Sequence, residues 1–149
     1  KSKLPKYIKS YPINKSELTS AILANKYNLK KIVNIIHPLV RKKMNHFLRK
    51  NVRKKFLVLD VPLLIENKLN KKNYILIFVD SKKIQINKRL RKRKNYNKKI
   101  IEKLRKLQKT IAHKKKLSTY IIKNDFKLLT VKKRVKLIKS SILNERNSS

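Results

Sequence analysis

The chain has no glycine, no cysteine and no tryptophan among its 149 residues, and it has only 7 acidic residues. Without glycine, neither a GxxxxGK[ST] phosphate loop nor a GxGxxG fingerprint exists within these residues. Both need a close backbone approach that a Cβ obstructs. Without cysteine there is no disulfide and no thiolate metal site, a composition compatible with the cytoplasm. His37, His46 and His113 lack zinc-ligand spacing, so no metal site is expected. No serine sits in a nucleophile elbow. The longest apolar runs are far too short to span a bilayer, and no secretory segment is present, so no membrane partner is expected. There is no internal repeat.

What is abundant is positive charge: 44 basic residues give a formal net charge of +37. Such a surplus suits a nucleic-acid partner or another polyanion. It is equally the product expected of AT-rich codons, which favour the heavily used Lys, Asn and Ile. Many lysines fall on the polar faces of amphipathic stretches, where a solvated surface would put them. The length fits a single domain over residues 1–149 with a core of ordinary size. The chain starts at Lys1 and not at methionine, which fits a fragment or a trimmed version of a longer protein.

The organising stretch is Phe56 to Glu66, FLVLDVPLLIE. Phe56, Leu57, Val58, Leu59 and Val61 make a short apolar run whose length and β-branching suit a buried strand. Pro62 lacks an N–H and biases Val61 toward extended geometry, so it suits a strand's end. Asp60 and Glu66 flank that end. Open α/β sheets bind ligands outside the carboxyl ends of their strands, so the acids and Pro62 outline a candidate site wall. The bland alternative is a buried strand running into a solvated turn. Tyr74–Val79 is a second continuous apolar run, ending at Asp80, and Tyr120–Ile122 reads as a short last strand before Asn124. Continuous strands separated by helical stretches predict a three-layer α/β fold, a mostly parallel sheet flanked by helices.

Helices fill the remainder. Lys1 to Ile13 reads as irregular or as one short helix. Asn14 and Glu17 have capping-box spacing before a helix through about Leu23. Asn28 is the expected cap of the next, with Leu29, Ile32, Val33 and Ile36 on one face. His37-Pro38 either kinks it or starts a new helix that carries Val40, Met44, Phe47 and Leu48 to about Asn51. Asp80 or Ser81 is the expected cap of a helix with Ile84, Ile86 and Leu90. On it Arg89 and Arg93, four apart, would share a face and could clamp phosphoryl oxygens with their planar donor forks. Asn95 or Asn97 starts a stripe of Ile100, Ile101, Leu104, Leu107 and Ile111. The last helix carries Leu128, Val131, Val135, Ile138 and Ile142, and the tail 144–149 is expected to fray.

Taken in order, these motifs resemble the dephospho-coenzyme A kinase family. The matching pieces are IIHPLV (Ile35–Val40), VLDVPLLIEN (Val58–Asn67) and IFVD (Ile77–Asp80). Then come Gln85 with Arg89 and Arg93, Gln108 with Lys115, and YIIKN (Tyr120–Asn124), covering roughly residues 14 to 143. The resemblance implies a P-loop kinase that transfers the γ-phosphate of ATP, with Mg²⁺, to the ribose 3′-hydroxyl of dephospho-coenzyme A. It implies an acceptor side at His37, Asp60, Pro62, Leu63 and Glu66, and catalytic lid arginines at Arg89 and Arg93. Asn124 would be the residue on the adenine side. Residues 14–53 would be substrate-side helices and 81–116 lid-like helices, in a cytoplasmic monomer with no specific nucleic-acid partner.

Departures accompany it. The family's glycine-rich phosphate loop and the Asp-x-Asp stretch that supplies its general base are both missing, so the fold is expected to be truncated at its N-terminal side. Thr119 stands in place of the usual aspartate, and Asp125-Phe126 where a glycine-containing loop is common. Phosphoryl transfer rests on loop amides, a loop lysine and Mg²⁺, so these residues alone are expected to be inactive. The alternatives are a basic nucleic-acid-binding protein, resting on charge alone, and an inactive structural remnant.

Overall fold

The computed structural model describes residues 4–147. In order the elements are α1 (Lys15–Ala24), α2 (Lys26–Lys50), β1 (Ile77–Asp80), α3 (Lys83–Arg91), α4 (Lys98–Lys106), α5 (Ile111–Leu117), β2 (Tyr120–Lys123) and α6 (Leu128–Asn147). This corrects the expected architecture. The fold is mostly helical, and its one sheet among the described residues has two strands, β1 and β2, paired in parallel with Ile77 opposite Tyr120 and Asp80 opposite Lys123. It is not a sheet-dominated three-layer α/β fold.

The reason lies in how strands differ from helices. A helix closes its hydrogen bonds within itself, whereas a strand needs a lateral neighbour. Phe56–Val61 is not helical, but among the described residues no strand pairs with it, and Val58 is 86% exposed. Tyr74 and Ile75 likewise stay outside the ladder; the Leu76 carbonyl accepts the Tyr120 N–H at 3.1 Å, and Ile77–Asp80 form the paired strand.

The chain divides into two units. The first comprises residues 1–69 and 97–108, the second 70–96 and 109–149. In the first, Leu4, Ala21, Ile22, Leu29 and Ile32 form a buried cluster, with Tyr7, Ile8, Leu18, Val33 and Ile100 packed against it. Asn14 caps α1 as expected, but its carboxamide oxygen accepts from the Ser16 N–H. Glu17 does not close a box with it. Its carboxylate takes the Ser10 hydroxyl at 2.8 Å and the backbone N–H groups of Lys9 and Ser10. The ammonium of Lys103 on α4 donates to the carbonyls of Ile22 and Leu23, two of those the end of α1 leaves unpaired.

The cap of α2 differs from expectation, and of the two outcomes expected at His37-Pro38 the start of a new helix does not occur. Asn25 caps α2, which runs through Pro38 to Lys50 without a break. Asn28 is instead buried inside its first turn, its amide donating to the Ala21 carbonyl at 2.8 Å. One proline removes one hydrogen bond, which a 25-residue helix absorbs where its flanks pack. The expected single stripe from Ile100 to Ile111 is split: α4 stops at Lys106, and Thr110 caps the separate α5. Of the expected fraying tail 144–149, α6 extends to Asn147, and residues 148–149 lie outside the described residues. Among the described residues no helix is long and apolar enough to cross a membrane.

Candidate functional site

Two clusters of the expected residues form, one in each unit. In the first unit, the segment after the unpaired Phe56–Val61 folds back through Pro62–Lys68 as a series of turns. The reversal forces Leu63 (φ 56°) and Lys68 (φ 52°) into the left-handed region, where a Cβ crowds the following carbonyl. Hydrogen bonds hold the turn: the Asn67 N–H donates to the Leu63 carbonyl at 3.0 Å and the Leu69 N–H to the Leu64 carbonyl at 3.0 Å. The Asn67 side-chain amide also reaches the Leu63 carbonyl (2.8 Å) and lies 3.3 Å from Nε2 of His37 on α2. His37 and Leu63 are therefore brought together through Asn67. Asp60 and Pro62 are exposed beside them, and Glu66 is half-buried in the same turn. Asn67 was missed as the bridging residue. Its signal was its place at the end of the VLDVPLLIEN run, one position past Glu66.

In the second unit, the carboxyl ends of β1 and β2 lie side by side, with the Asn124 N–H donating to the Asp80 carbonyl at 2.7 Å. Asp80 is paired with Lys115 of α5 at 2.6 Å, and the same ammonium lies 5.8 Å from the Phe78 ring centre. The Asn124 side chain closes a tight turn by accepting the Phe126 N–H at 2.8 Å. Phe126 has φ 63°, in the stretch where a glycine-containing loop was the family expectation. Its ring is covered by the Arg89 guanidinium at 4.0 Å from the ring centre. Arg89 and Asn124 thus meet through Phe126. Arg134 of α6 donates to the Lys123 carbonyl at the end of β2. The Lys127 N–H lowers the Asp125 carboxyl pKa.

Arg93 does not join them on one helix face, because α3 ends at Arg91 and Arg93 sits in the following turn, exposed. Lys82, without a side-chain cap bond, precedes α3 in place of Asp80 or Ser81. Phe126 and the Asp80–Lys115 pair were not read from the sequence as contacts. Positions 35 residues apart leave no local signal of an ion pair.

Chemically, the carboxyl edge of β1 and β2 offers cationic forks and ammonium groups beside two carboxylates, Asp80 paired with Lys115 and Asp125 accepting the Lys127 N–H. That set suits binding of an anionic group. Among the described residues no group of three His, Cys, Asp or Glu could hold a metal ion. With Asp80 held by Lys115, the donors do not fit a Mg²⁺ site of their own, and no step is derived through that ion.

The sequence pattern of dephospho-CoA kinase matches residues 9–130. The chain is 31% identical over 112 residues to a dephospho-CoA kinase of Wolbachia pipientis wMel, covering 74% of this chain and 57% of that protein. It is 30% identical over 126 residues to a dephospho-CoA kinase of Fusobacterium nucleatum, covering 83% of this chain and 63% of that protein. The chain thus spans less than two thirds of the length of these curated relatives. With a match across most of its length and relatives at this identity, the chain belongs to the dephospho-CoA kinase family.

Proposed function

We propose that this chain is the acceptor-side and lid-side part of a kinase that phosphorylates the ribose 3′-hydroxyl of dephospho-coenzyme A with ATP. The observation that carries the reading is the carboxyl edge of β1 and β2. There, a parallel strand pair ends in Asp80 and Asn124, and Arg89 is held against the loop that Asn124 opens. Ligands of α/β sheets bind at such edges, and a guanidinium fork matches a phosphoryl group. In this reading Arg89 and Arg93 neutralise the triphosphate, and Asn124 lies on the adenine side. His37, Asp60, Pro62, Leu63 and Glu66 serve the acceptor, with Asn67 fixing His37 against the turn. Residues 14–53 act as substrate-side helices. Residues 81–116 act as the lid, although they draw on both units. Mg²⁺ would arrive on the ATP phosphates.

The 149 residues contain no glycine, so the phosphate-cradling loop is not among them. Alone they are expected to turn over no dephospho-coenzyme A. Fusion to the phosphate-loop portion of a family member should give ATP-dependent formation of coenzyme A. In that fusion Arg89→Ala should lower kcat on the order of 1,000-fold or more, as removal of an arginine from a transferring phosphoryl group does. Turnover by the 149 residues alone would overturn the need for the loop. A well-folded fusion without activity would overturn the assignment.

A further inference from the structure

We propose that the basic turn at the end of α3, residues 88–94, is a sequence-independent binding site for single-stranded nucleic acid. This goes beyond the kinase reading and does not rest on it. Six of these seven residues are cationic: Lys88, Arg89, Arg91, Lys92, Arg93 and Lys94. All six are exposed. The last turn of α3 holds the first three, and the chain then reverses, with the Arg93 N–H on the Leu90 carbonyl (3.1 Å) and the Tyr96 N–H on the Arg93 carbonyl (2.9 Å). Six charges are thereby compressed into one helical turn and the bend after it.

Among the described residues no carboxylate pairs with Lys88, Arg91, Lys92, Arg93 or Lys94, and Arg89 is engaged by a ring, not an acid. The carboxylates of the same unit are committed elsewhere: Asp80 to Lys115, Asp125 to the Lys127 N–H, Glu145 to the Tyr120 hydroxyl. The helix end offers partial negative charge, far less than six cations need. A polyanion would supply it, with release of its own counterions as the driving force.

The details favour nucleic acid over an anionic membrane. Membrane-surface segments pair their cations with an exposed apolar face. Here the run's one apolar residue, Leu90, is half-buried. Three of the cations are arginines, whose forks match phosphate bidentately. Tyr96, 39% exposed and tied by its N–H to Arg93, offers a ring on which a base can stack.

The test is fluorescence anisotropy of a labelled polyuridine 20-mer with the intact chain over a salt series. Two variants of equal charge change are compared: Arg91→Gln/Lys92→Gln/Lys94→Gln in the turn, and Lys132→Gln/Lys133→Gln/Lys136→Gln on α6. The turn variant leaves Arg89 and Arg93 in place, and all six altered positions are exposed, so both variants should fold, as circular dichroism checks. The turn variant should lose about 2 from the log–log salt slope, three contacts at roughly 0.7 each, and on the order of tenfold or more in affinity. The α6 variant should bind like the parent. Equal losses in the two variants would assign the binding to diffuse charge and overturn the site. Absence of binding by the parent would also overturn it. So would binding to phosphatidylserine vesicles with none to polyuridine.

Discussion

The two units are made from the same lysine-rich, glycine-free composition, and they bury their apolar residues very differently. The first encloses Ala21, Ile22, Leu29 and Ile32 between helices. The second leaves Ile77, Val79 and Ile121 of its strands at 44 to 55% exposure, and Leu129 of α6 at 81%. Parallel strands are ordinarily covered on both faces. What separates the units is the kind of partner each element needs. A helix needs one apolar face opposite its own, and α1, α2 and α4 supply that to one another. A strand needs neighbours on both edges and both faces, and two strands with α6 against β2 meet only part of that demand.

The sharpest way to break this comparison is the same substitution in each unit. Leu29→Ala removes a side chain that is 8% exposed, and Leu129→Ala one that is 81% exposed. The first should lower unfolding free energy by about 2–5 kcal/mol, through lost burial and a residual cavity. The second should stay within about 0.5 kcal/mol. Urea unfolding measures both. Equal effects would mean that the buried cluster of the first unit does not set its stability.

Next in size is Asn28. Its amide is buried and satisfied by the Ala21 carbonyl. Asn28→Ala leaves that carbonyl without its donor and should cost roughly 1–3 kcal/mol. In the second unit, Asn124→Ala removes an acceptor from the Phe126 N–H in a half-buried turn, where water can substitute. It should cost about 1 kcal/mol or less by the same measurement.

Much of the first unit's helical content was legible because capping and periodicity are local. Asn14, the α2 stripe and the acid–proline punctuation of Asp60–Glu66 could all be read by inspection. The sequence could not reveal whether an apolar run finds a neighbour. Phe56–Val61 has every local mark of a strand, and pairing is a property of two segments. The cap of α2 is Asn25 and not Asn28, whose side-chain amide is engaged inside the first turn by the Ala21 carbonyl. At the candidate site, the family motif picked out Arg89 and Asn124. Phe126, which joins them, carried only the signal that it stands, with Asp125, where a glycine-containing loop is common in the family. Its φ of 63° is a backbone conformation that prefers glycine.

That preference separates the units again. Lys68 in the first unit has φ 52° with an exposed side chain. Lys68→Gly removes the left-handed cost and loses little packing, so it should stabilise by about 1 kcal/mol. Phe126→Gly gains the same relief but loses the Arg89 stack, worth about 0.5–1 kcal/mol at such a site. It should therefore be close to neutral. A gain at Phe126 as large as at Lys68 would show that the stack contributes nothing.

The smallest expected effect is in pH dependence: an acid limb in both units and an alkaline limb in the second. The Ser10 hydroxyl, with the N–H groups of Ser10 and Lys9, holds the Glu17 carboxyl below its ordinary value of 4.5. A depressed folded-state pKa gives stability that is present above the unfolded value and is lost as pH falls through the folded one. The anchoring of Lys9 and Ser10 to α1 should therefore weaken below about pH 4.5, seen as lost amide protection of those two residues, and Glu17→Gln should remove the pH dependence. In the second unit the Tyr120 hydroxyl donates to Glu145, which raises its pKa above 10.0. A raised value gives stability that is present below the unfolded pKa and is lost as pH rises through the folded one. The contact between β2 and the end of α6 should loosen only on the alkaline side, followed by the ultraviolet absorbance of tyrosinate. Asp125, lowered by the Lys127 N–H, adds an acid limb to the second unit at the loop after β2. Protection lost there at low pH while Tyr120 stays bonded would separate the loop from the helix as independent parts of that unit.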